Sequence, residues 1–209
     1  MIGDLSKKYD SNGNPGIIST GWGDAGGKSY GTYQFASAVG SLASYLTWLV
    51  NNGYWFGRYL LDLVPTSAEF DKGWQWLANS DNKEDFAKSQ HDYIEYAYYV
   101  PSIRLLSDAG FNVDNHSDVM RDVIWSRAVQ YGTGYIVEMF TEACNILGHP
   151  NLSYVDDISF DYMMIKAIYL GVCKTPEWTN GSPDLREGLY NRFDNECAEA
   201  LEKLTAELS

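Results

Sequence analysis

Two aspartates near the start of the chain, Asp10 and Asp24, bracket the first half of a glycine-rich stretch, YDSNGNPGIISTGWGDAGGKSYGTYQ, running from Tyr9 to Gln34. Cleavage of a glycosidic bond needs two carboxyl groups in different states. One is protonated and donates to the leaving oxygen; the other is ionised and serves as base or nucleophile. The neighbours of the two aspartates predict such a split. Asp10 follows a short helix-forming segment and is flanked by Tyr9, Ile17 and Ile18, so the negative end of a helix dipole and apolar surroundings favour its protonated form. Asp24 lies among Gly23, Gly26 and Gly27, where solvent and bare backbone N–H groups favour the ionised form. A plain turn-forming role for both aspartates fits the same residues.

The elements that must position this pair follow from periodicity and breakers. Gly3 to Tyr9 reads as a short helix, stopped by Asn12-Gly13-Asn14-Pro15-Gly16. Ile17 to Thr20 and Lys28 to Phe35 read as two strands with the glycine-rich segment as the bend between them. From Ser41 the pattern is helical. Leu42, Tyr45, Leu46 and Leu49 mark a helix stopped by Asn51-Asn52-Gly53, and Thr66 or Ser67 caps the next, with Phe70, Trp74 and Leu77 inward. Phe86, Gln90, Tyr93, Ile94 and Ala97 define a helix ended by Pro101, and Ser102 to Ala109 a shorter one. Ser117 or Asp118 opens a helix through Ala128 to Gly132. Helices follow around Phe140 and Tyr162, and Pro183 to Leu208 is the last, its Glu and Lys residues forming a solvated face. The expected architecture is mainly α (α+β): many helices around a small N-terminal β-hairpin region, as a single domain over residues 1–209.

Bulk properties narrow the function. A net charge of −13 over 209 residues excludes nucleic acid as an expected partner and is compatible with a neutral or cationic polymer. Aromatics make up 15% of the chain, with 7 Trp and 16 Tyr, enough for both core packing and stacking on sugar faces. No apolar run reaches the length of a membrane span, and the N-terminus has no signal-peptide organisation, so no membrane partner and synthesis in the cytoplasm are expected. Cys144, Cys173 and Cys197 show neither metal spacing nor a disulfide framework and read as buried thiols. His91, His116 and His149 are scattered. Asp10-Ser11-Asn12-Gly13-Asn14 opens like a calcium loop, but Pro15 and Gly21 stand where the loop needs glycine and glutamate, so no metal or other cofactor is expected.

The segments Tyr9–Gly16 and Gly23–Gln34, followed by Val123-Ile124-Trp125-Ser126-Arg127-Ala128-Val129-Gln130-Tyr131-Gly132, resemble the paired elements of a lysozyme-like family. That family occurs in bacteriophage endolysins and in the C-terminal effector domain of type VI secretion spike proteins, and is distantly similar to chitosanases and goose-type lysozymes. The resemblance covers about the first two-thirds of the chain. It implies a lysozyme-like fold and a glycosidase, of muramidase or phage-lysin type, that hydrolyses the β-1,4 glycan of bacterial peptidoglycan after release to the cell wall. It carries the base to Asp24 and the general acid to Asp10. At Asp10 the family has glutamate; aspartate retracts the carboxyl by one methylene, and a misplacement of about 1 Å can cost on the order of a hundredfold in rate. Tyr131 stands where histidine is common. Substrate contacts are expected from Ser29, Tyr30, Thr32, Tyr33 and Gln34, with Gly26 and Gly27 allowing close approach. Trp125, Ser126 and Gln130 are counted with them as substrate-binding residues, and Trp125 and Ser126 are also expected to hold the β region in place, with core packing the other role open to Trp125. A chitosanase-like hydrolase and a catalytically impaired glycan-binding domain remain alternatives, and a monomer is the default oligomeric state.

Overall fold

Gly31 and Gln34 both adopt positive φ, +76° and +52°, and this turns what the sequence pattern reads as one strand into two. In the computed structural model, which describes residues 2–20, 26–179 and 183–209, β1 (Ile18–Ser19) pairs antiparallel with β2 (Ser29–Tyr30). β2 in turn pairs with β3 (Phe35–Ala36). The register sets Ile18 opposite Tyr30 and Tyr30 opposite Phe35. The expected hairpin region is therefore a three-stranded antiparallel sheet.

The remainder is helical: α1 (Asp4–Ser11), α2 (Ser41–Asn51), α3 (Trp55–Leu61), α4 (Ala68–Asn79), α5 (Lys83–Ile94), α6 (Val100–Asp108), α7 (Asp118–Tyr131), α8 (Ile136–Ile146), α9 (Asp161–Lys166) and α10 (Pro183–Glu207). Several ends follow the expected chemistry. Ser67 and Ser117 cap α4 and α7 by accepting from the N–H groups of Phe70 and Met120. Gly110 and Gly132, at φ +94° and +86°, follow the ends of α6 and α7.

Two expectations fail. Helix α3 was not foreseen, because a seven-residue segment shows little periodicity. Pro101 does not end the helix before it. A widened π turn over Glu95–Tyr99 joins α5 to α6, and the proline sits in the first turn of α6, where its missing N–H costs little.

The chain divides into two compact units. One comprises Ser6–Tyr96, here called the hairpin unit; the other comprises Met1–Leu5 with Ala97–Ser209, the helical unit. The hairpin unit has an aromatic core. Tyr30 meets Phe70 edge-on at 5.1 Å, Phe35 stacks on Tyr45 at 4.4 Å, and Trp74 meets Phe86 at 4.9 Å. Such geometries are favourable for ring quadrupoles.

In the helical unit, α7 is buried on every face from Val119 to Ala128, which makes it a central helix. Cys144, Cys173 and Cys197 are buried free thiols. Among the described residues, no helix is long and apolar enough to cross a membrane.

Candidate active site

Asp10 lies in the last turn of α1, one position before its end. Ser6, four residues earlier and therefore on the same face, donates from Oγ to Asp10 Oδ2 at 2.6 Å. The helix is closed by left-handed Asn12 and Gly13, at φ +53° and +73°, with the Gly13 N–H reaching back to the Lys7 carbonyl at 2.9 Å.

The chain then turns sharply. Asn14 Oδ1 accepts from the Gly16 N–H at 2.9 Å, and a Cβ on Gly16 would stand 2.7 Å from the Ala78 methyl. Only glycine lets the backbone lie this close to α4. Pro15 cannot donate, but its carbonyl accepts from Trp74 Nε1 at 2.9 Å and Gln90 Nε2 at 3.1 Å.

The sheet is fastened to this turn. The Gly31 N–H donates to the Ile17 carbonyl at 2.8 Å, and Gln90 Oε1 accepts from the Thr32 N–H at 2.7 Å. Asp71 holds β2 from the other side, taking Lys28 Nζ on one oxygen and Tyr30 Oη on the other, both at 2.7 Å. Burial, and then Asp71, push the Tyr30 phenol well above its ordinary pKa.

Asp24 lies outside the described residues; the sequence puts it in the connection between β1 and β2. The far end of that connection is fixed by the N–H groups of Ala38 and Ser37, which donate to the carbonyls of Gly26 and Lys28, both at 2.9 Å. Gly27, at φ +71°, lies close against Ser37 and Ala38.

The run from Ser29 to Gln34 does not form an open ledge. Ser29, Tyr30, Thr32 and Tyr33 are buried, at 7%, 0%, 4% and 4% exposure, and Tyr33 Oη pairs with His91 Nδ1 at 2.8 Å. These side chains pack inward and hold the strands. Gly26, Gly27 and Gln34 keep some exposed surface, and Gln34 Nε2 donates to the Gly31 carbonyl at 2.9 Å.

The other three expected site residues belong to the helical unit. Trp125 is 1% exposed and packs beside Tyr99 at 5.4 Å. Ser126 joins a buried ionic cluster: it donates to Glu196 Oε2 at 3.1 Å, and Arg127, fully buried, pairs with the same oxygen. Tyr169 Oη donates there too at 3.0 Å, and Arg192 Nε holds Oε1 at 2.6 Å. Burial alone would raise the Glu196 carboxyl, but Arg127 and Arg192 outweigh it and hold it below its ordinary range. Glu196 thus departs from the solvated face expected for α10; its place beside Phe193 and Cys197 in the inward stripe is the signal that could have revealed it. Gln130 lines a cleft of about 450 Å³ together with Tyr131 and Trp178.

Residues 2–197 match the family described as Type VI secretion system spike protein VgrG3-like, C-terminal. The chain belongs to that family. It is 36% identical over 132 residues to the type VI secretion system spike protein VgrG3 of Vibrio cholerae serotype O1, a match covering 63% of this chain and 12% of that protein. The chain thus spans a small part of the relative's length. Its fold is similar to the native chitosanase of Bacillus subtilis MY002, at TM-score 0.64 and 17% identity, covering 96% of this chain and 88% of the other. A mutant of that chitosanase complexed with 6 GlcN aligns over the same shares at TM-score 0.63 and 18% identity. The fold is lysozyme-like and mainly helical, as expected. The family match falls on the secretion-spike side of the expected resemblance and lends no support to a phage lysin.

Proposed function

We propose that this protein is a glycosidase that cleaves the β-1,4 glycan backbone of bacterial peptidoglycan, acting on the cell wall as the effector part of a type VI secretion spike. Asp10 is the general acid and Asp24 activates the water. The observation that carries this reading is the fastening of the hairpin to the turn that follows Asp10. Pro15, Ile17, Gly31 and Thr32 are tied through Trp74, Gln90 and backbone bonds, so the acid and the strand leading to the base are built on one framework. Gly26, Gly27 and Gln34 are the candidates for direct contact with the glycan; Ser29, Tyr30, Thr32 and Tyr33 position the strands. Trp125 and Ser126 support α7.

The experiment is turbidity loss of purified peptidoglycan with mass spectrometry of the fragments. Cleavage at the glycan linkage that is lost in both Asp10→Asn and Asp24→Ala supports the assignment, and unchanged lysis by either variant removes that residue from it. The chitosanase-like fold together with the strong negative charge favours a second reading, hydrolysis of a cationic glycan, which sugar release from chitosan tests directly. Wall binding with no release of sugars marks a binding module instead.

A further inference from the structure

Helix α1 starts among residues of the helical unit and carries Asp10 in its last turn. A helix this short is marginal by itself, because its first turn orders several residues for little return. That turn has to be held from outside. Gly3, the residue before the helix, is buried at φ +90° and has no side chain with which to cap it. The cap comes from α7 instead. Asp122 accepts from the Gly3 N–H on Oδ1 at 2.7 Å and from the Leu5 N–H on Oδ2 at 3.2 Å. A carboxylate there also faces the positive end of the helix dipole.

Asp122 is itself fixed. It is buried on α7, whose own first turn is held twice: Ser117 caps it, and Glu207 accepts from the Asp118 and Val119 N–H groups at 2.8 Å and 3.1 Å. Leverage follows from the length of α1. Asp10 lies about 7.5 Å beyond Leu5 along the helix axis, so a tilt of about 8° about the first turn displaces it by about 1 Å. A misplacement of that size costs a catalytic group on the order of a hundredfold in rate.

We infer that Asp122 is a positioning residue for the proposed general acid: by holding the first turn of α1, it sets the direction in which that helix presents Asp10. The inference rests on the reading of Asp10 as the acid of a glycan hydrolase and adds to it a residue that acts only through the helix. Its loss should therefore appear in kcat and not in KM, because the candidates for glycan contact, Gly26, Gly27 and Gln34, belong to the hairpin unit.

The test pairs kinetics with hydrogen exchange on the intact protein, well below each variant's melting temperature. On soluble peptidoglycan oligosaccharides, Asp122→Ala should lower kcat by about tenfold to a hundredfold with KM unchanged. Asp122→Asn keeps one acceptor and should lower it less. Asp118 lines a cavity together with Asp122 but makes no bond to Gly3 or Leu5, so Asp118→Asn removes a charge there and should leave kcat unchanged. Amide exchange in Asp122→Ala should quicken about tenfold from Leu5 through Ser11 while α4 keeps its protection. If the alanine variant fails to fold, the asparagine variant carries both readouts. An unchanged kcat, an equal loss in Asp118→Asn, a rise in KM alone, or faster exchange confined to Gly3 and Leu5 overturns the inference. Exchange is read without turnover. A wild type that leaves walls intact, with α1 loosened as far as Asp10 in Asp122→Ala, therefore sinks the hydrolase reading and keeps the tie, while wall lysis at full rate by Asp122→Ala does the reverse.

Discussion

Asp10 and Glu196 are both acids on helices, and the proposed mechanism gives them opposite kinds of work. Glu196 is fully buried, with Arg127 and Arg192 on its two oxygens and Tyr169 and Ser126 adding donors. Two fixed cations favour its charged state, and through Arg127 it ties α10 to α7. Asp10 is half-buried at a helix end, and Ser6 orients it with a neutral hydroxyl. A hydroxyl donor orients a carboxyl group without itself adding a charge, which suits the proton donor proposed here. Burial of an acid with strong partners is therefore a poor guide to catalysis; the nature of the partner is the better one.

The contrast can be broken by mutation. Asp10→Asn should lower wall hydrolysis by about a hundredfold to ten-thousandfold with the melting temperature unchanged. Asp10→Glu tests reach in the same assay, and a rise in rate would show that the shorter side chain limits the enzyme. Arg127→Met should do the opposite. It leaves Glu196 with Arg192 as its one cation and costs up to about 3–5 kcal/mol in denaturant unfolding, while Arg127→Met with Glu196→Gln recovers part of that loss. A smaller effect is expected from Gly31→Ala, at about 1–3 kcal/mol. The new Cβ would clash with Gln90 Oε1 in a left-handed backbone, so hydrolysis should fall together with stability.

An effect of similar size concerns a second buried acid. Burial pushes the Asp122 carboxyl up to about 6, against the lowering influence of the Gly3 and Leu5 N–H groups that it accepts. A folded-state value above the unfolded one means that protonation favours the fold. This contribution is complete below the ordinary carboxylate value and is lost as pH rises through about 6. Stability should therefore increase by roughly 1–3 kcal/mol between pH 7 and pH 4, an increase missing in Asp122→Asn.

The fold was legible where local chemistry decides it. Serine caps, glycine stops and apolar stripes marked most helices, and the order of the two motif segments pointed to the family. The misreadings were made where distant contacts decide. Lys28 to Phe35 looks like one strand because the turn at Gly31 depends on Gln90 and Trp74, more than forty residues away. Tyr30 and Tyr33 read as sugar-facing because sequence cannot show that Asp71 and His91 take their hydroxyls. Pro101 read as a stop because a π turn leaves no mark in periodicity. Glu196 reads as solvated because Arg127, which holds its second oxygen, lies 69 residues away on α7, and Arg192 alone looks like an ordinary surface pair one turn along α10.

Gln90 has a consequence beyond packing. Its amide nitrogen serves the Pro15 carbonyl and its oxygen serves the Thr32 N–H, so it has a polarity as well as a shape. Rotated by half a turn about its last bond, the group would set acceptor against acceptor and donor against donor. The loop beyond Asp10 and the tip of the sheet are thus keyed to each other like two teeth on one gear. Gln90→Glu, which preserves volume and replaces one NH₂ by an oxygen, would keep the acceptor that Thr32 uses and set oxygen against oxygen at Pro15, loosening the loop while the tip of the sheet stays held.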